Sequence, residues 1–203
     1  MIRSGPTNPH PPSAAPRLGR RQVLAAPILW GWMAHALAST ARVAPPPEIA
    51  QLWPSARLFG QGHLRFMGLS VYDVRLWSNA PSLSAASWVE RPLALELQYA
   101  RSLSGRRIAE RSLQEMQRGG ALSDELAQRW LQAMGAWFPD VKAGDRITGI
   151  YGPEEGARFF HNARPTGHSS DKVFAQRFFG IWLSPWTSQP ELRAALLPPS
   201  GST

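Results

Sequence analysis

The chain has 203 residues, with 22 Lys and Arg against 14 Asp and Glu, a formal charge of +8, and no cysteine. The missing thiols exclude disulfides, thiol catalysis, iron–sulfur clusters and cysteine-based zinc sites. Beyond residue 38 the arginines are spread along the chain with no cluster other than Arg106-Arg107, so the basic stripe that nucleic-acid binding needs is missing.

Residues 1–38 read as a targeting segment. Arg3, Arg17, Arg20 and Arg21 are its only charged residues, and the first acid is Glu48. The apolar run from Val23 to Leu37 is shorter than the roughly 20 residues a membrane span requires. Ala36-Leu37-Ala38 supplies a small-x-small cleavage site, and Arg20-Arg21 before Gln22-Val23-Leu24 has the form of a twin-arginine export signal. The expectation is a periplasmic protein with no stable membrane span once the signal is removed. Residues 39–203 remain as one domain; four of the 22 basic residues and none of the acids leave with the signal, so its charge is about +4.

Residues 39–50, with Pro45-Pro46-Pro47, read as an extended lead-in, and Leu52 to Leu58 as a short strand. The stretch 62–78 reads as one long strand: Tyr72, Val74 and Leu76 alternate with Asp73 and Arg75, as a half-buried strand requires. Its first half carries apolar residues on both parities, so it is covered on both faces or lines a pocket. Leu93, Leu95, Leu97 and Tyr99 alternate with Ala94, Glu96 and Gln98 in a second strand. Two helices follow, one from Ser104 to Arg118 ended by Gly119-Gly120, the other starting at Ser123 and stopped by Phe138-Pro139. Arg146 to Tyr151 and Arg158 to His161 make a hairpin, and Asn162 to Gly167 reads as a turn. Ser170-Asp171 caps a helix that is apolar around much of its girth. A last helix starts near Ser188, with Glu191 three residues on as a capping box, and the tail 198–203 follows. Grouped strands followed by helices describe an α+β domain, an antiparallel sheet with helices packed on one face.

Several motifs add to this reading: the Gly60–Trp77 stretch GQGHLRFMGLSVYDVRLW, Leu97-Gln-Tyr-Ala-Arg101, Trp137-Phe-Pro-Asp140 with Gly144-Asp145, Ile181-Trp-Leu183, and Pro190 to Leu197. In this order they resemble the bacterial branch of the chalcone isomerase-like family over roughly residues 55–197. The resemblance implies an open-faced β-sandwich with a ligand cleft between sheet and helices, and no cofactor. Chalcone isomerases need hydroxyl donors where charge develops on the carbonyl oxygen. In the plant enzymes the matching strand reads approximately KFTAIGVYL, and its catalytic threonine falls here on Met67, whose thioether cannot donate a hydrogen bond. The non-catalytic branch binds fatty acids through an arginine and a tyrosine, for which Arg65 and Tyr72 are the candidates.

A guanidinium reads a carboxylate bidentately, and a phenol adds a third donor. Positions 65 and 72 differ by an odd number, so a shared site requires a one-residue bulge, which Gly68 would most easily allow. Met67, Phe66, Trp130, Met134 and Phe178 are candidates for an apolar cavity wall, which suits a flexible ligand. His63, His161 and His168 have no metal-binding spacing, so no metal is expected. The leading reading is a non-catalytic binder of a small apolar or fatty-acid-like molecule, with Arg65, Met67, Tyr72 and Tyr99 at its site. The alternatives are a cofactor-independent intramolecular lyase using Tyr72 and Tyr99 as proton donors, and a structural partner in an envelope assembly.

Overall fold

The computed structural model describes residues 43–197; the expected targeting segment, residues 39–42 of the lead-in and the tail lie outside the described residues. Six strands form one sheet in sequential order, β1 (Arg57–Phe66), β2 (Leu69–Ser78), β3 (Leu93–Tyr99), β4 (Arg146–Gly152), β5 (Gly156–His161) and β6 (Arg164–Ser169). Every neighbouring pair is antiparallel. Among the described residues five α-helices accompany it: α1 (Pro47–Leu52), α2 (Gly105–Gln117), α3 (Asp124–Trp137), α4 (Lys172–Leu183) and α5 (Pro190–Leu196).

Strand alternation gives the sheet two different faces. Val74, Leu76, Leu93, Leu95 and Phe159 join the main core beneath α2 to α5. Trp77, Ala94 and Ile150 point the other way and pack with Ile49 of α1. The extended lead-in is thus corrected: Pro47 opens a short helix, since a proline at the first helical position gives up no hydrogen bond. Four helices lie on one face, and α1 covers part of the other.

The expected long strand over 62–78 is also corrected. The chain reverses at Met67-Gly68, and Phe66 pairs with Leu69. Both turn residues have positive φ (49° and 79°), the conformation of a two-residue hairpin turn whose twist matches the flanking strands. Asn-Gly is the usual choice there; a methionine in the left-handed region costs roughly 1–2 kcal/mol. Apolar residues continue through the tip on both parities, which hid the turn. A second two-residue turn, Asn162-Ala163 (φ 47° and 69°), makes β6 of what reads as a turn in sequence; Pro165 is tolerated there because β6 is an edge strand.

The other elements follow their local signals. Ser104, Ser123 and Asp171 each accept backbone N–H bonds as N-caps of α2, α3 and α4. The capping box at Ser188 does not form: α5 begins at Pro190 after Gln189, without a side-chain cap. The Gly60-x-Gly62 spacing serves α5, which lies against β1. A Cβ on Gly60 would stand 2.3 Å from the Leu196 carbonyl oxygen, and one on Gly62 would meet the end of the Leu192 side chain.

Beside α1 the second face carries a polar row. Arg75, Glu96 and Thr148 are cross-strand neighbours on β2, β3 and β4. Trp77 Nε1 and Arg75 Nη1 donate to Glu96 (2.9 and 3.2 Å), and Thr148 Oγ1 donates to the buried Glu48 of α1 at 2.6 Å. Arg146 Nε lies 3.5 Å from Glu48 and 3.8 Å from Glu96. Buried charges persist only when paired in this way.

Two outcomes are expected in urea unfolding. Gly60→Val meets backbone that cannot step aside and should cost about 1–3 kcal/mol, while Gly62→Ala, facing a flexible leucine end, should cost less. Glu48→Ala should cost about 1–3 kcal/mol by leaving Thr148 without its acceptor and Arg146 without the nearer of its two carboxylates, whereas Glu48→Gln, which keeps the Thr148 bond, should lose less.

Candidate functional site

Between the inner sheet face and helices α2 and α4 lies a cavity of about 380 Å³, within the roughly 300–1,000 Å³ typical of small-molecule sites. Leu95, Leu97, Ile147 and Phe159 form its sheet wall; Phe138 and Ile181 are among the apolar residues opposite. Gly149 belongs to this wall because the ring of Phe179 comes within 3.1 Å of where its Cβ would be.

The polar groups are few. β1 and β2 bring Arg65 and Tyr72, β3 brings Tyr99, Arg101 follows that strand, and α2 contributes Arg107, Arg111, Ser112 and Glu115. Tyr72 Oη accepts a hydrogen bond from Trp182 Nε1 at 2.9 Å. That contact fixes the phenol and leaves its own proton free to donate. The Tyr72 and Tyr99 rings meet edge to face with centroids 5.9 Å apart. Burial pushes the pKa of both hydroxyls up, against a smaller lowering at Tyr72 from the Trp182 bond. Both are therefore neutral hydrogen-bond donors in the physiological range, not bases.

On α2, Arg111 Nη2 stands 2.5 Å from Glu115 Oε1 one turn on, and Arg118 Nε is 3.6 Å from Oε2. Glu115 is buried, and its Oε2 has no hydrogen-bond donor among the described residues. Ser112 is occupied by its own helix, donating to the Ile108 carbonyl at 2.8 Å. Of the cations on the lining, Arg65, Arg101 and Arg107 are exposed and form no ion pair among the described residues.

Three of the four residues expected at the site, Arg65, Tyr72 and Tyr99, stand on the lining of this one cavity. The odd spacing of Arg65 and Tyr72 does not by itself decide their faces, because the chain reverses between them. The β1–β2 register then shifts by one residue: Leu64 pairs with Tyr72 and Arg65 with Ser70, so Val71 is the extra residue. Alternation along β1 thus sets Arg65 on the face of His63 and Ser70, opposite Tyr72, although both residues border the cavity. The irregularity is at Val71, not at Gly68 as expected, because Gly68 belongs to the turn. Met67 is corrected: it is 86% exposed at the hairpin tip and absent from the lining, since a tip residue has no sheet face to pack on. Phe66 and Phe178 do line the cavity, while Trp130 and Met134 are buried in the core between α3 and α4. Sequence reading missed Arg107, Arg111 and Glu115. Their i, i+4, i+8 spacing puts them on one stripe of α2, next to Ile108 and Ser112, which also line the cavity.

A separate polar chain lies on β1 and β2. Ser70 Oγ is 2.9 Å from His63 Nε2, and His63 Nδ1 is 2.7 Å from Asp73 Oδ1. The order is that of a Ser–His–Asp relay, but His63 and Asp73 alternate with the cavity-lining Leu64 and Tyr72 and so face away from the cavity. It ties the two strands of the hairpin together.

Comparison with known proteins fits this architecture. An uncharacterized protein of Haemophilus influenzae is 33% identical over 127 residues, 63% of this chain and 60% of its own length, so this chain spans about three fifths of that relative. The crystal structure of a fatty-acid binding protein of Arabidopsis thaliana has the same fold, with a TM-score of 0.53 at 15% identity over 70% of this chain and 86% of that one. The model of the chalcone isomerase-like family matches residues 40–198, the whole sheet and all five helices. With its six-stranded antiparallel sheet and the cavity beneath α2 and α4, this chain belongs to the chalcone isomerase-like family.

Proposed function

We propose that this protein binds a fatty-acid-like amphiphile without turning it over. The observation that carries the reading is an apolar cavity with the Tyr72 hydroxyl, oriented by Trp182, and the side chains of Arg65 and Arg111 on its lining. The acyl chain lies along Leu95, Leu97 and Phe159, and its carboxylate accepts from Tyr72 and a guanidinium. Glu115 would repel that carboxylate. Arg118, within 3.6 Å, shares the charge of Glu115, so Arg111 can turn toward the ligand. Structural similarity to a fatty-acid binding protein supports the reading.

Turnover ranks below binding on physical grounds. A lyase would use Tyr72 and Tyr99 to deliver protons, yet burial makes both phenols hold their protons more tightly than free tyrosine. They suit hydrogen bonding to a charge, not release of a proton.

Native mass spectrometry and displacement of a fluorescent fatty acid test the binding reading. The protein should take up one saturated fatty acid. Arg65→Ala and Tyr72→Phe should each weaken binding about tenfold, since a hydrogen bond to a charged group is worth about 1.5–3 kcal/mol and tenfold is about 1.4. Trp182→Phe should weaken it less, by freeing the phenol to rotate. Failure to take up any fatty acid would overturn the reading; unchanged affinity in both anchor variants would overturn the placement of the head group.

The reading includes export. Residues 1–38 would deliver residues 39–203 to the periplasm by the twin-arginine route. Cell fractionation should find a shortened protein in the periplasm, and an Arg20→Lys/Arg21→Lys variant should accumulate at full length inside the cell. Full-length protein in the cytoplasm without that change would rule export out.

A further inference from the structure

The tip of the β1–β2 hairpin has a surface that cavity binding does not use. Six large apolar side chains are strongly exposed among the described residues, and three of them, Phe66 (62%), Met67 (86%) and Leu69 (56%), share this tip. Phe66 and Leu69 are cross-strand partners with Met67 between them in the chain, so the three form one small apolar knob. Met67 sits there in the left-handed region, where asparagine or glycine would fit at lower cost. A left-handed backbone under an exposed apolar side chain motivates a functional reading of that position.

The knob stands at the edge of the cavity. Phe66 belongs both to the knob and to the cavity lining, next to Arg65. Arg101 and Arg107, exposed and unpaired among the described residues, belong to the same lining. Apolar side chains at an apex, with guanidiniums on long stems behind them, match the two layers of a bilayer surface: acyl chains below, phosphates above. Clustered cations next to such a finger favour an anionic leaflet. A hairpin apex of three side chains is far smaller than the ~800 Å² each partner gives to a standard protein interface.

We propose that the Phe66–Leu69 hairpin tip inserts into the surface of an anionic phospholipid bilayer, with Arg101 and Arg107 against the headgroups, so that the cavity mouth opens onto the membrane. The proposal rests on the amphiphile reading of the cavity. It assigns the source of the ligand: the acyl chain passes between bilayer and cavity past Phe66 without crossing open water.

The chain has no cysteine, so one introduced thiol carries a unique label. An environment-sensitive fluorophore is placed on Met67→Cys in the full chain, and on Val173→Cys of α4 as an exposed control. Each is mixed with vesicles of phosphatidylglycerol and phosphatidylcholine in equal parts, and with vesicles of phosphatidylcholine alone. The probe at 67 should shift to the blue and be quenched by lipid-borne quenchers on the anionic vesicles, several-fold more than at 173 and several-fold more than on neutral vesicles. Arg101→Gln/Arg107→Gln should reduce that shift. Because the probe reports from the tip, attachment through residues 1–38 does not imitate the result. Met67→Asn should keep fatty-acid affinity in solution while transfer from anionic vesicles slows several-fold. An aqueous probe at 67 on anionic vesicles, equal insertion into neutral ones, or unchanged transfer by Met67→Asn would overturn the proposal. Normal fatty-acid binding alongside any of these would leave the cavity reading standing, and no fatty-acid binding at all would remove that reading instead.

Discussion

Everything in this domain depends on the aromatic seam between α4 and the inner sheet face. Phe174, Phe178, Phe179 and Trp182 project from one helix toward Phe138, Tyr151 and Phe159, and most of these rings meet edge to face or tilted at centroid distances near 5–6 Å. Such contacts add to the large area each ring removes from water. The seam fixes the height of α4 above the sheet. On the closed side of the packing Phe174 and Phe179 are fully buried. Toward its C-terminal end Phe178, Ile181 and Trp182 become a cavity roof. One helix thus makes both the core and the space beside it.

Trp182 connects packing to chemistry. Its ring belongs to the seam and its Nε1 belongs to the site, donating to Tyr72 across 110 residues of sequence. A buried hydroxyl without a fixed partner would rotate. With its acceptor role filled by the indole, the Tyr72 phenol has one proton left to offer, and that proton serves whatever occupies the cavity. A resident carboxylate, Glu115, lies nearby on α2. The lining is therefore not a plain cationic pocket but a set of arginines, one of them already engaged, around a neutral donor pair.

The sheet's two faces show how separate tasks are kept apart. The inner face is apolar and carries the cavity. The other face carries Arg75, Glu96 and Thr148 in register, covered by α1 through Glu48, and further along the hairpin the His63–Asp73–Ser70 chain. These networks set the register of β1 to β4, and register places Tyr72 beside Tyr99. Because a one-residue slip would turn every side chain to the opposite face, polar pairs on one face hold the ligand-facing residues on the other.

Much of this was legible in the sequence. The strand Leu93–Tyr99, the helices begun by Ser104, Ser123 and Asp171, and the α+β class follow from alternation and capping chemistry, which act within a few residues. Pro190 to Leu197 read as a helix as well, although its start lay two residues from the expected box. What local pattern could not supply was the hairpin. Met67-Gly68 lacks the polar turn residues that announce a reversal, and apolar residues continue through it on both parities, so two strands read as one. Tertiary structure alone decided that Arg65 and Tyr72 both border the cavity, that Met67 is outside it, and that Arg107, Arg111 and Glu115 of α2 are on its lining. Sequence fixes which faces are apolar, because periodicity is a property of neighbouring residues. Which polar side chains meet across those faces depends on register, a bulge and helix placement, and these are set by contacts between segments far apart in the chain.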